Sequence, residues 1–325
     1  MANSTPVLFL IFNRPEQTRR IFEAIRRYKP EQLFVAADGP RAEVDGEAKL
    51  CLEAREVLQL IDWDCRVETL FREENLGCRI AVSSAIDWFF DYVEAGTILE
   101  DDCLPSMSFF HYAAELLANY REHPDVMMIS GNNFHGSRPG SVDGYHFTRV
   151  PHIWGWATWR RAWQCYDIEM SDLPDFLHSG SLANISTDMD VQDYWAKCFI
   201  KAYDRKINTW DYQWAFAIFR HQGLCICPDK NLVQNIGFDV NATHTCTPPP
   251  NLVDLEANDL TISAHHKEVL ADRDSDAAEY QLMDLRLESI GNPIVRWWKL
   301  GKKRRKEKRI KRVFLEKHQP EKVES

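Results

Sequence analysis

The sequence predicts an α/β protein: a mixed, mostly parallel sheet flanked by helices, with a helical C-terminal extension. Three observations predict it. Short apolar runs alternate with helix-period stretches through the first half of the chain, the pattern of βαβ units with right-handed crossovers. Polar clusters follow three of those runs: Asn13-Arg14, Asp38-Gly39 and Glu100-Asp101-Asp102. Ligands of such sheets bind beyond the carboxyl ends of the strands, so clusters there mark a site on one edge.

Pro6–Phe12 is a near-continuous apolar run and predicts a buried first strand. Pro15 suits the first turn of a helix, and Thr18, Ile21, Phe22 and Ile25 then recur at helical spacing. Gln32–Ala37 reads as a second strand, stopped by the turn signal Asp38-Gly39-Pro40. Ala48–Leu60 reads as helix and Arg66–Phe71 as a third strand. Asn75-Leu76-Gly77 turns into a helix over Arg79–Tyr92. Thr97–Glu100 is a fourth strand, Ser106–Tyr120 a helix and Val126–Ser130 a fifth strand. The second half is less regular and rich in tryptophan. Trp154-Gly155-Trp156 and Trp159 lead into a helix ending near Tyr166. Asp190–Tyr203 and Asp211–His221 read as helices, Leu224–Cys227 as a strand, and Ser263–Ala271 and Ala277–Ser289 as peripheral helices.

At 45% hydrophobic and 27% charged residues the chain has an ordinary globular composition. Nine cysteines without a Cys-x-x-Cys pair predict reduced, mostly buried thiols rather than a zinc site or a disulfide framework. No secretory signal or bilayer-length apolar run is found, which predicts a cytoplasmic location. The net charge of −10 is unevenly spread. From Ile294 onward 13 Lys and Arg face 4 Asp and Glu, a net of +9, so the preceding residues carry 26 − 45 = −19. An acidic body excludes a general nucleic-acid binder, whose globular face would itself be basic.

Three acids at the end of a buried strand repel one another unless positive charge sits beside them. Glu100-Asp101-Asp102 therefore reads either as a solvated acidic turn or as a site for magnesium or manganese, which favour hard carboxylate oxygens. The chain lacks G-x-x-x-x-G-K-[ST], G-x-G-x-x-G, H-E-x-x-H and G-x-S-x-G. What remains is an edge with acids and Arg14, which suits a nucleotide diphosphate held by a cation and by a bidentate guanidinium.

Val7 to Pro15, Ala37-Asp38-Gly39, Asn75-Leu76-Gly77 and Leu99-Glu100-Asp101-Asp102 with Pro105 and Phe109-Phe110 together resemble a GT-A fold glycosyltransferase. The similarity is greatest to inverting N-acetylglucosaminyltransferases and bacterial nucleotide-diphospho-sugar transferases, and runs over about residues 6–245. It implies a Rossmann-like sheet and transfer of a sugar from a UDP-sugar donor to a glycan or lipid-linked acceptor, with Mn2+ or Mg2+. It places a metal ligand at Asp102, sugar or ribose contacts at Glu100 and Asp101, and a uracil contact at Asp38. Arg14, with its neighbour Asn13, and Arg79 become nucleotide contacts. Trp154, Gly155 and Trp156 become the acceptor or sugar wall, His244 a further metal contact, and Asp211 the catalytic base. Asp211 also reads as an ordinary helix-start acid, Arg79 as a solvated helix charge, and one or both tryptophans as core. A nucleotidyltransferase, or a non-catalytic carbohydrate-binding protein on the same fold, are the competing readings.

The resemblance and the composition together divide the chain into a nucleotide-sugar half over 1–105, an acceptor half over 106–250, peripheral helices over 251–291 and a basic aromatic tail over 292–325. Trp297 and Trp298 beside the run Lys302–Lys306 suit the inner face of an anionic membrane; a solvated tail is the other reading.

Overall fold

The computed structural model describes residues 4–134, 144–238, 255–285 and 293–319. The chain forms two compact units, each assembled from two stretches: residues 1–164 with 224–272, and residues 165–223 with 273–325. Residues 224–272 return to the first unit after an excursion of 59 residues (165–223) in the second.

The first unit contains strands β1 (Val7–Ile11), β2 (Gln32–Ala37), β3 (Arg66–Phe71), β4 (Ala95–Glu100), β5 (Cys103–Pro105), β6 (Val126–Ser130), β7 (Tyr145–Thr148), β8 (Trp156–Trp159), β9 (Leu224–Pro228) and β10 (Val233–Asn235). Eight of them form one sheet in the order β3-β2-β1-β4-β8-β6-β9-β7, and β5 pairs with β10 in a small antiparallel sheet. The first four strands are parallel. β8 then enters antiparallel between β4 and β6, so β6 again runs in the direction of β4. This is the mixed, mostly parallel α/β architecture that the sequence predicts.

Helices α1 (Pro15–Tyr28), α2 (Glu47–Arg55), α3 (Gly77–Tyr92), α4 (Met107–Asn119) and the single turn α5 (Arg160–Trp163) complete this unit. α1 begins on Pro15, whose missing N–H costs nothing at a helix start. It buries Thr18, Ile21, Phe22 and Ile25, an i, i+3, i+4, i+7 stripe against the sheet. α4 is capped by Ser106, whose hydroxyl accepts from the Phe109 N–H at 3.3 Å. Each parallel strand is apolar throughout where helices cover both faces; all five residues of β1 are buried.

Register fixes the edge. Leu10 pairs with Glu100, Ile11 with Ala37, and Ala37 with Phe71. The residues following β1, β2, β3 and β4 therefore emerge side by side.

The second unit holds α6 (Leu173–His178), α7 (Met189–Tyr203), α8 (Asp211–Arg220), α9 (Arg273–Leu285) and α10 (Pro293–Lys317). One expectation needs correcting. Ser263–Ala271 is not a helix: Ala271 bridges Phe147, and the His266 ring is held by the Tyr145 carbonyl at 2.8 Å, so tertiary bonds to β7 override local helical spacing. The basic tail is a helix through Lys317, packed on α7. Among the described residues no helix is long and apolar enough to cross a membrane.

Candidate active site

Asp101 and Asp102 leave the end of β4 and meet Arg14, which leaves the end of β1. Arg14 Nη1 donates to Asp102 Oδ2 at 2.8 Å and lies 3.6 Å from Asp101 Oδ1. The two acids have different tasks. Asp101 is buried and accepts the Phe12 N–H at 3.0 Å, which ties the end of β1 to the end of β4. Burial, reinforced by Asp102 and opposed by Arg14, holds the Asp101 carboxyl above the usual carboxylate range. Asp102 is more open, its side chain 21% exposed. Its second oxygen accepts from the Cys103 thiol at 3.3 Å. Glu100 closes β4, half-buried, on the same edge.

A strap crosses this cluster. β10 runs antiparallel to β5, and the Ile236 N–H donates to the Asp102 carbonyl at 2.8 Å. This brings Gly237 onto the Asp102 side chain. A Cβ on Gly237 would sit 2.4 Å from Asp102 Oδ2, 2.7 Å from Asp102 Cβ and 2.9 Å from Arg14 Nη1. Nothing larger than glycine fits there while Arg14 and Asp102 keep their places.

Asp38 and Asn13 also reach the edge, and each is already engaged. Asp38 accepts from the Gly39, Leu76 and Gly77 N–H groups and from Asn75 Nδ2, all within 3.1 Å. It anchors the start of α3, where a carboxylate also complements the helix dipole. Arg79 lies half-buried in the first turn of that helix. Asn13 Nδ2 donates to Glu47 at 2.8 Å, and Glu47, buried on α2, takes the guanidinium and backbone N–H of Arg41. The Arg41 contact holds the Glu47 carboxyl below its ordinary value.

Trp154 and Trp156 separate. Trp154 is half-buried in an aromatic group: Phe134 stands 5.2 Å from its ring and Phe238, on the strap, 5.5 Å. The Trp154 N–H donates to Asn132 Oδ1 at 3.1 Å, and Asn132 Nδ2 reaches the Val233 carbonyl at 3.2 Å. Trp156 is fully buried in β8 with Trp163 beside it. It belongs to the core and cannot form a sugar wall. Gly155 adopts φ +71°, and its Cβ position lies 2.8 Å from Val233 Cγ2, so the fold itself requires glycine there.

Asp211 sits in the second unit as the first residue of α8. Its carboxylate accepts from the Thr209 hydroxyl and from the Tyr212 N–H, the geometry of a helix-start acid. His244 lies outside the described residues.

The sequence reading missed Glu47 and the pair Asn132-Asn133, and it reached Gly237 only as part of residues 235–239, a segment that the resemblance lays over the nucleotide. The asparagine pair had a signal: β6 runs with β4, so the residues after it reach the same edge as the other clusters. Glu47 had none, since an acid in a short helix normally faces water.

The residues present fit a hard cation. Among the described residues no three His, Cys, Asp or Glu side chains form a cage by themselves. Magnesium-type sites use one or two carboxylates and complete their shell with substrate phosphate and water, which is the donor set Asp102 and Glu100 offer.

No family model matches the sequence, and no curated protein matches it. Among solved structures, the chain is similar to HddC from Yersinia pseudotuberculosis, with 10% identity over 48% of this chain and 77% of that one, at a TM-score of 0.31. It is also similar to mouse xyloside xylosyltransferase 1 in its apo form, with 12% identity over 68% of this chain and 83% of that one, at a TM-score of 0.33. At such scores neither neighbour specifies the chemistry of this chain, and the residues of the edge have to carry it.

Proposed function

We propose that the chain is a glycosyltransferase that moves a sugar from a nucleotide diphosphate donor, a UDP-hexose or UDP-N-acetylhexosamine, to a glycan or lipid-linked acceptor with inversion. The observation that carries this reading is the Arg14–Asp101–Asp102 cluster under Gly237 at the carboxyl ends of β1 and β4. Arg14 faces Asp101 and Asp102 there, with Glu100 at the end of the same strand, an arrangement that suits a further cation and a polyanionic ligand together.

Asp102 and Glu100 would hold Mn2+ or Mg2+, which supplies positive charge against the diphosphate as it leaves. Arg14 offers a guanidinium fork to the same phosphates. Asp101 keeps β1 and β4 in register so that both groups stay aimed at the edge. Trp154, with Phe134 and Phe238, offers an apolar face suited to a sugar ring. The resemblance would give Asp211 the task of taking the proton of the acceptor hydroxyl.

Titration calorimetry with UDP, with and without Mn2+, tests the reading. Wild type binds UDP at least ~10-fold more tightly with the metal, and Asp102→Asn loses that difference while melting at a similar temperature. Metal-independent UDP binding, or an Asp102→Asn protein that keeps the metal effect, would overturn it.

A further inference from the structure

We infer that Arg41 and Asn13, both held by the buried Glu47, read the uracil edge of the donor, and that Asp38 is committed to the fold instead. The inference rests on the nucleotide-diphosphate reading given above and departs from the resemblance over which residue meets the base. Asp38, the expected base contact, already has its oxygens filled. Oδ1 accepts from the Gly39 and Leu76 N–H groups, each at 3.0 Å, and Oδ2 from Asn75 Nδ2 and the Gly77 N–H, each at 3.0 Å. A carboxylate has about four lone-pair sites, and four donors take them.

Glu47 is the contrary case, an acid on a short helix whose side chain is only 1% exposed. It gathers two side chains from two different loops. Asn13 Nδ2 donates to Oε1 at 2.8 Å; Arg41 gives its backbone N–H to Oε2 at 2.7 Å and the Nε–Nη2 side of its guanidinium to both oxygens. Taking a carboxylate out of water is costly unless its partners hold it well, and here they do.

Each partner is left with one unused group. The guanidinium is planar, so gripping it through Nε and Nη2 turns Nη1 away from Glu47. A carboxylate only accepts, so Asn13 must present its NH2 to Glu47 and direct Oδ1 elsewhere. Neither Arg41 Nη1 nor Asn13 Oδ1 has a partner among the described residues. The Phe12 ring lies 5.8 Å from the Arg41 guanidinium carbon, a second restraint on that side chain. The result is one donor and one acceptor, both oriented before any ligand arrives.

They stand on the right part of the edge. Ile11 pairs with Ala37, so Phe12-Asn13-Arg14 and the turn from Asp38 to Arg41 leave the sheet side by side. Asn13 is the chain neighbour of Arg14, the arginine offered to the diphosphate, and one ribose separates diphosphate from base. A uracil edge carries the complement of the clamp: its N3–H gives to Asn13 Oδ1 and its O4 accepts from Arg41 Nη1. Glu47 touches neither atom and is a positioning residue.

Titration calorimetry in the presence of Mn2+ tests the inference with UDP, N3-methyl-UDP and inorganic pyrophosphate. The methyl group removes the N3–H, and pyrophosphate lacks the nucleoside altogether. Wild type binds UDP at least ~10-fold more tightly than either. Arg41→Met and Glu47→Gln each lower UDP affinity ~10-fold and leave pyrophosphate within about twofold. Asn13→Ala binds UDP and N3-methyl-UDP alike. A merely structural role for Glu47 would move both UDP and pyrophosphate or neither, and Arg41, 42% exposed, supplies a variant that folds even where Glu47→Gln does not. Variants that lose both ligands equally, or that keep the wild-type preference for UDP, would overturn the inference and leave the metal–diphosphate site standing. The same holds for wild type that binds UDP no better than pyrophosphate. Wild type that binds neither ligand with Mn2+ would bring down the donor-site reading and this inference with it.

Discussion

Gly237→Ala is the sharpest probe of the site, because it adds one methyl group and no charge. The backbone of Gly237 lies outside the left-handed region, so alanine brings no torsional penalty. The cost is steric. The added carbon would stand 2.4 Å from Asp102 Oδ2, about 1 Å short of the 3.4 Å at which ordinary contact begins. Rotating the carboxylate does not cure this, since Asp102 Cβ is only 2.7 Å away and Arg14 Nη1 2.9 Å. Either the strap lifts or the Arg14–Asp102 pair separates. Overpacking of this kind costs about 1–3 kcal/mol of stability. A 1 Å misplacement of an aimed group costs up to ~10²-fold in function. The assays are thermal melting and calorimetry with UDP and Mn2+. The variant should melt a few degrees lower and lose ~10- to 10²-fold in metal-dependent affinity, with its weak metal-independent binding little changed. Gly237→Ala protein that binds UDP and Mn2+ as wild type does would refute the idea that the strap and Asp102 form one site.

Two further outcomes follow from the edge and from α8. Asp211→Asn should leave metal-dependent UDP binding intact and lower transfer by ~10²–10⁴-fold, the usual loss on removing a general base; retained turnover with a stability loss of about 0.5–1 kcal/mol would make Asp211 a helix-start acid and nothing more. Glu47→Gln should cost on the order of 2 kcal/mol near neutral pH, because a buried carboxylate gives up charge-assisted bonds to Arg41. Its carboxyl titrates lower in the folded chain than its ordinary 4.5, so that stabilisation is present above this value and is lost as acid protonates the folded form. Melting curves from about pH 7 down to about pH 3 should therefore show wild type and variant converging, and a constant gap would contradict the Glu47–Arg41 account.

The parallel half of the fold was legible because β1, β2 and β4 are covered on both faces, which leaves a continuous apolar run for each. The polar residues after them then pointed to one edge. Packing decisions between distant residues were not legible. Trp154 and Trp156 look alike in the sequence, yet Gly155 turns the chain between them at φ +71°, sending one to the edge and the other into the core. Residues 263–271 have helical spacing, but His266 and Ala271 find partners on β7 more than a hundred positions earlier. Glu47 carries no local mark at all: its partners Arg41 and Asn13 come from a turn and from another strand's end.

The edge has a charge imbalance that bears on how it works. Arg14 is shared between Asp101 and Asp102, so one guanidinium stands against two carboxylates. Burial takes part of that load on Asp101, whose carboxyl is pushed toward its neutral form and is in any case spent on the Phe12 N–H. Asp102 is the more open acid and the one in direct contact with the guanidinium. An anionic nucleotide alone would be repelled by Asp102, and a cation alone would face Arg14. Together they would balance each other, as the proposed transfer from a nucleotide diphosphate with a metal requires.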